Sequence, residues 1–307
     1  MKNVLVTGAH GFLGRYIAKE FNSNGCKVIG IGHGTWDECE FRHYGLDRWI
    51  EADIDLNNLA TLGCEFDVVI HCAGSASVGY SLENPGEDFR RTVDTTLSVL
   101  EYIRTLATNA KLIYPSSCAV YGQKTDEAIG EDAILNPFSP YGFHKRIAEE
   151  LCLSYSNNFA INICVIRFFS VYGEGLRKQL LWDASKRICC AQGNAIFFGR
   201  GTETRDWIHA HDAARLAFRC AETTRGYAVI NGAGGERKSI AEILGLLKTA
   251  LGTGDSIIFN GQTREGDPRY YHADITAASK LGWTPEIDIE IGINRYAKWY
   301  METVDDD

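Results

Sequence analysis

The sequence is short of positive charge, of long apolar runs and of paired cysteines. Lysine and arginine total 31 against 40 aspartates and glutamates, a net charge of −9. A chain of that sign does not attract a polyanion, so nucleic acid is not an expected partner. No apolar run is long enough to cross a bilayer, so no membrane partner is expected either. The first residues enter a strand directly, without the basic stretch, apolar block and cleavage site of a leader, which predicts a cytoplasmic protein. The ten cysteines (Cys26, Cys39, Cys64, Cys72, Cys118, Cys152, Cys164, Cys189, Cys190 and Cys220) include no C-x-x-C pair and no Cys/His cluster at zinc spacing. No metal is expected, and the thiols read as free and buried. Internal repeats, an obvious linker and low-complexity tracts are missing as well. The last three residues, Asp305, Asp306 and Asp307, read as a solvated tail.

What is present is a regular alternation. With 307 residues, 45% of them hydrophobic, the chain can form one large domain or a core domain with a smaller lobe. Apolar runs at Val4–Val6, Val28–Ile31, Val68–His71, Lys111–Tyr114 and Ile161–Ile166 read as buried strands. Between them, Arg15–Phe21, Pro85–Arg104 and Tyr141–Tyr155 carry helical spacing. Such alternation predicts an α/β fold, a doubly wound parallel sheet with helices on both faces and its ligand at the carboxyl ends of the strands. Gly8, Ala73, Ser117 and Phe168 fall at those ends. After Val171 the pattern gives way to charged, loop-rich stretches, which predicts a smaller C-terminal lobe capping a substrate.

Two stretches carry chemistry. In "LVTGAHGFLGRYIAKEF", Gly8, Gly11 and Gly14 stand at the join of a strand and a helix. Glycine permits the tight turn and a close backbone approach, and the helix N-terminus favours a phosphate. The segment therefore reads as a dinucleotide site, with a plain glycine turn as the alternative. In "PSSCAVYG…SPYGFHK", Ser139 and Pro140 start a helix, which puts Tyr141 and Lys145 four apart on one face. A neighbouring ammonium is expected to lower the phenol pKa from its usual value near 10 and make Tyr141 a general acid or base. Ser117, at the preceding strand end, would hydrogen-bond the same substrate oxygen.

With these residues in view, the chain resembles the extended short-chain dehydrogenase/reductases, in the branch of nucleotide-sugar epimerases, dehydratases and reductases. The resemblance runs along nearly the whole chain, on "TGAHGFLG", "DVVIHCAG", "PSSCAVYG", "SPYGFHK", "IRFFSVYG", "TRDWIHAHD" and "REGDPRYYHAD". It implies a Rossmann-type NAD(P)-binding domain over residues 1–170, with part of 208–232 returning to it, and mainly a substrate-binding lobe over 171–307. It implies that Gly8, Gly11, Phe12, Leu13 and Gly14 lie under the cofactor pyrophosphate, Asp53 and Ile54 at adenine, and Ala73 and Gly74 beside the ribose. Ser117, Tyr141 and Lys145 match the catalytic triad, with Lys145 also on the nicotinamide ribose, and Phe168 matches the aromatic position near nicotinamide. Arg205 and Arg264 match arginines that grip the diphosphate of a nucleoside-diphosphate sugar, a task suited to a guanidinium fork. The family also implies a homodimer paired through two long helices.

Departures from the pattern shape the expected reaction. The end of the second strand reads Gly32 and His33 where users of NAD carry an acid. That removes an obstacle to a 2′-phosphate, which His33, aided by Arg42 or His43, would bind; Asp37 and Glu38 remain as ribose ligands in the opposite case. NADP(H) is therefore favoured, with NAD(H) as the alternative. Ser170 replaces a frequent asparagine at a substrate contact, and Cys118 and Ala119 follow Ser117 where dehydratases carry acids; Thr92 stands where a family asparagine stabilises the region below the sheet, which bears on no reaction. The expected reaction is NADPH-dependent reduction of a nucleoside-diphosphate 4-keto-6-deoxyhexose. The alternatives are a 4-epimerase with tightly held NAD and a non-catalytic dinucleotide-binding regulator.

Overall fold

The structure is a computed structural model that describes residues 1–124, 126–191, 193–262 and 269–305. The strands are β1 (Asn3–Thr7), β2 (Lys27–Gly32), β3 (Arg48–Glu51), β4 (Val68–His71), β5 (Lys111–Ser117), β6 (Ile163–Phe168), β7 (Ser170–Tyr172), β8 (Asn194–Phe197), β9 (Thr204–His209), β10 (Tyr227–Gly232), β11 (Arg237–Ser239) and β12 (Ser256–Phe259). Seven of them form one parallel sheet in the order β10-β6-β5-β4-β1-β2-β3. This is the Rossmann-like α/β sheet.

Every residue of β4 and β6 is buried, because helices cover both faces. Successive residues of β1 divide between two cores. Val4 and Val6 face helices Phe12–Ser23 and Ala210–Thr223, where Ile17, Phe21 and Leu216 pack. Leu5 faces helices Thr95–Thr105 and Pro140–Phe159, where Leu100, Ile103 and Ala148 pack. Each large aliphatic side chain buried this way contributes about 1.5–3 kcal/mol. The strand order reverses between β1 and β4, which opens a crevice at their carboxyl ends.

The remaining strands form a three-stranded sheet, β11-β9-β7, and a two-stranded one, β12-β8. Helices Gln179–Cys189, Ile240–Leu251 and Ile289–Asp305 pack around Leu181, Ile243, Leu247, Ile293 and Tyr296 beside them. Helix Ala210–Thr223 lies on helix Phe12–Ser23, with the Phe21 and Phe218 rings 5.1 Å apart.

Three expectations need adjustment. The strand at 161–166 runs Ile163–Phe168 instead. The helix over 85–104 is interrupted by a π-helical turn, Arg90–Asp94. The cysteines are all free, but Cys39, Cys64, Cys189 and Cys190 are exposed rather than buried, because they lie on solvent-facing helix and loop positions. Among the described residues no helix is long and apolar enough to cross a membrane.

Candidate active site

The glycine loop is shaped by contacts a side chain would destroy. Gly8 has φ +67°, and a Cβ there would lie 2.6 Å from the Ala73 amide nitrogen. A Cβ at Gly14 would lie 2.4 Å from the Gly8 carbonyl oxygen. The loop after β1 can therefore press on the loop after β4 and on its own helix. Gly11 caps helix Phe12–Ser23 without any side-chain hydrogen bond, leaving the amides of the first turn for an external acceptor. Gly8, Gly11, Phe12, Leu13 and Gly14 line a cleft of about 1110 Å³, together with Gly74, Ser117, Tyr141, Lys145, Phe168, Ser170 and Arg205. An uncapped helix start against glycine backbone fits a pyrophosphate.

The local sequence brings Ser117 and Tyr141 together. Ser139 accepts a hydrogen bond from the Gly142 amide at 3.2 Å, and Pro140 occupies the first helical turn. Gly142 permits the helix to rest on the turn after β5: a Cβ would lie 2.7 Å from the Ala119 carbonyl oxygen. The Ser81 hydroxyl holds the helix start by accepting from the Tyr141 amide at 3.1 Å. Both Tyr141 and Ser117 line the cleft, and Ser117 acts on the phenol to favour the phenolate. Register places Ser117 opposite Phe168, and Phe168 opposite Gly232, along one edge of the sheet.

The electrostatics differ from the expectation. Burial pushes the Tyr141 phenol up to about 12, partly offset by Ser117. Lys145 is not among the groups acting on it. Its ammonium donates to the Pro115 carbonyl at 3.0 Å and lies 4.9 Å over the Tyr114 ring. Burial lowers Lys145 to about 8. Sharing a helical face brings the two side chains to one cleft, but the β5 carbonyl and the Tyr114 face draw the ammonium aside.

Ala73, Ile54, His33 and Asp53 are not among the residues that line this cleft. Ala73 is half-buried and donates its amide to the Thr7 hydroxyl at 3.2 Å. Ile54 is buried in the core. His33 and Asp53 are exposed, and His33 Nε2 stands 2.5 Å from Asp53 Oδ1. The other residues considered for the ribose are engaged locally. Asp37 caps helix Glu38–His43, Arg42 pairs with Glu38, and His43 packs edge-on against Tyr44.

On the other lobe, Arg205 donates to the Thr204 carbonyl and lies 6.0 Å from the Tyr271 ring. Arg264 falls outside the described residues. Lys178, Arg269 and Tyr271, not singled out from the sequence, also line the cleft, as do Cys72 and Cys118. The Tyr271 hydroxyl is buried with no partner among the described residues, which marks it as a group available to a ligand. Its signal lay in "PRYYHAD", next to the arginine that drew attention.

A family model described as the NAD dependent epimerase/dehydratase family matches residues 4–231. The chain belongs to that family. It is 28% identical to a UDP-glucuronate 4-epimerase of Thermodesulfobacterium geofontis over 98% of this chain and 97% of that one. It is also similar to the crystal structure of UDP-glucuronic acid 4-epimerase from Bacillus cereus in complex with UDP-glucuronic acid and NAD. That match has TM-score 0.88 and 29% identity, covering 98% of this chain and 99% of the other. The structure of UDP-glucose 4-epimerase with UDP-glucose from Thermotoga maritima matches with TM-score 0.89 and 25% identity, over 98% and 99%. The resemblance to extended short-chain dehydrogenase/reductases of the nucleotide-sugar branch is thus borne out. The expected NADPH-dependent reduction of a 4-keto-6-deoxyhexose is not: these relatives are UDP-sugar 4-epimerases, the alternative reading. That expectation leaned on Gly32 and His33 at the end of β2, with Arg42 or His43, as a site for a 2′-phosphate; His33 instead lies against Asp53, just beyond β3.

Proposed function

We propose that this chain is a UDP-sugar 4-epimerase that holds NAD and recycles it at every turnover. The reading is supported by the likeness to UDP-sugar 4-epimerases, together with the convergence, in one cleft, of Ser117, Tyr141 and Lys145 with an uncapped glycine-lined helix start. Gly8, Gly11, Phe12, Leu13 and Gly14 would hold the pyrophosphate, Gly74, Ala73 and Lys145 the nicotinamide-side ribose, and Phe168 the nicotinamide. When bound, NAD would supply the acceptor and donor of hydride at the sugar C4. Tyr141 takes the proton of the 4-hydroxyl and returns it to the same oxygen after the sugar has turned over. Ser117 donates a hydrogen bond to that oxygen. Arg205 and Arg264 pair with the diphosphate, so that the sugar is free to rotate about a fixed anchor. Water elimination lacks its groups, since Cys118 and Ala119 follow Ser117 and neither can carry a carboxylate.

The preference for NAD over NADP follows from the adenosine end. A 2′-phosphate placed on His33 would meet the Asp53 carboxylate 2.5 Å from its ring nitrogen, and like charges at that range repel. Asp53 and His33 instead suit ribose hydroxyls and adenine. Residues 1–170 with the returning segment form the cofactor side, and 171–307 mainly the substrate side. Two copies pair through the helices that carry Leu97, Phe143 and Ile147, large apolar side chains left exposed; sedimentation that gives a monomer would remove the pairing.

The cofactor reading is tested by denaturing the purified protein and weighing the nucleotide released. Stoichiometric NAD or NADH supports recycling in place. NADP(H) sinks it.

A further inference from the structure

Tyr271 lines the cleft, yet the reaction gives it no task. Its side chain is 5% exposed, and its hydroxyl is buried with no partner among the described residues. A buried hydroxyl left unpaired is costly to keep and calls for a partner. The backbone around it is held alongside β9. The Tyr271 amide donates to the Thr204 carbonyl at 3.2 Å, and the Thr204 amide to the Arg269 carbonyl at 2.9 Å. Two residues on, the Ala273 amide donates to Asp206 Oδ2 at 3.1 Å. The Tyr271 ring packs edge-on against Phe169, with centroids 6.0 Å apart, in an apolar cluster that also holds Cys118. Burial pushes the phenol up, so at neutral pH it keeps a proton to donate.

Its neighbours tell what that partner is. Cys118, in the same cluster, directly follows Ser117. Arg205 brings its guanidinium carbon to 6.0 Å from the centre of the Tyr271 ring. Ser117, Cys118, Arg205 and Tyr271 all line the one cleft. On the 4-epimerase reading, on which the proposal rests, Ser117 holds the sugar 4-oxygen and Arg205 the diphosphate. Between a 4-oxygen and a diphosphate lies the sugar itself. We propose that Tyr271 is a specificity-determining residue whose hydroxyl donates a hydrogen bond to a sugar oxygen other than the 4-oxygen, either a ring hydroxyl or an oxygen at C6. The contact steadies the ring between its reacting carbon and its anchor. It adds affinity for the sugar and none for the nucleotide.

Tyr271→Phe keeps the ring and removes the hydroxyl. Binding of UDP, UDP-glucose and UDP-glucuronate to the purified protein is measured by calorimetry. We expect UDP affinity unchanged within about twofold and the sugar nucleotides weakened by roughly three- to tenfold, the usual worth of one hydrogen bond. Equal losses place the contact at a ring hydroxyl that the two sugars share; unequal losses place it at C6, where they differ. Without ligand the variant should melt no lower than the parent, because the hydroxyl it loses has no partner to give up. A lower melting temperature means that the hydroxyl has a partner in the protein and overturns the proposal. So do sugar affinity left unchanged and UDP weakened as much as the sugar nucleotides. If Tyr271→Phe does not fold, Tyr271→Leu, which also lacks the hydroxyl, decides by the same comparison of UDP with its sugars. Epimerisation by the parent is followed separately. The expected loss of sugar affinity without epimerisation of either sugar removes the reaction and leaves the contact. Epimerisation with affinity unchanged in the variant removes the contact and leaves the reaction. A parent that binds neither sugar nucleotide removes both.

Discussion

Burial acts in opposite directions on the two groups that matter most. It raises the Tyr141 phenol to about 12 and lowers the Lys145 ammonium to about 8. For Lys145 the consequence for stability has a definite sign. Between pH 8 and its usual value near 10.5 the unfolded chain still binds a proton that the folded chain has released, so stability rises with pH across that window. Below it the folded state carries a buried cation. Lys145→Met is therefore expected to melt a few degrees higher than the parent at pH 7 while turning over far more slowly; a lower melting temperature there would contradict the burial argument. Tyr141→Phe should lose roughly 10²–10⁴-fold in kcat and still bind UDP and NAD by calorimetry. The identities of Ser117, Tyr141 and Lys145 were legible in the sequence, since strand end and helical spacing bring them to one place. Their charges were not, because the Pro115 carbonyl that draws Lys145 aside is a matter of packing. The buried contact of Asp88 with His144 was not legible either: the two are 56 residues apart and meet only when helix Pro85–Phe89 docks on helix Pro140–Phe159.

At the scale of elements, the glycine loop and the catalytic helix were read from local chemistry that holds at any distance from the rest of the chain. Gly8 and Gly14 stand where a Cβ would strike backbone, and Ser139-Pro140 starts the helix that carries Tyr141. Gly14→Ala is expected to destabilise the protein by about 1–3 kcal/mol and to release bound nucleotide; denaturant melts and retained cofactor measure both. The same helix is tied to β6 by a buried pair. Arg167 reaches Glu149 with its Nε and Nη2, the latter at 2.7 Å, and Ser116 donates to the same carboxylate. Glu149→Gln leaves a guanidinium buried without its charge partner and should cost about 3–5 kcal/mol, read as a shift in urea midpoint. No local signal announced this pair. Glu149 sits within an apparently solvated helical pattern, and Arg167 interrupts an otherwise apolar strand. The π-helical turn was equally silent, since its extra residue does not disturb the apolar spacing of the helices that flank it.

For the molecule as a whole, the alternation of buried strands and helices was enough to anticipate the parallel sheet, because β1, β4, β5 and β6 are covered on both faces and read as apolar runs, whereas the edge strands β3 and β10 escaped notice, β3 being exposed at both ends. The reaction was harder. Reduction and epimerisation use the same serine, tyrosine and lysine, and they differ in whether the cofactor leaves. Gly32 and His33 at the end of β2 pointed to a 2′-phosphate, yet His33 lies against the Asp53 carboxylate, just beyond β3. Contacts between strand ends are invisible in one chain read linearly. The account therefore stands or falls on the fate of the sugar. Purified protein, with no nicotinamide nucleotide added, should be mixed with UDP-glucuronate or UDP-glucose and followed by proton NMR at C4. The account predicts that signals of the epimer inverted at C4 grow to a constant ratio with no net change in absorbance at the NADH band. No epimer from either UDP-sugar, or product formed only as added NADPH is consumed, would contradict it.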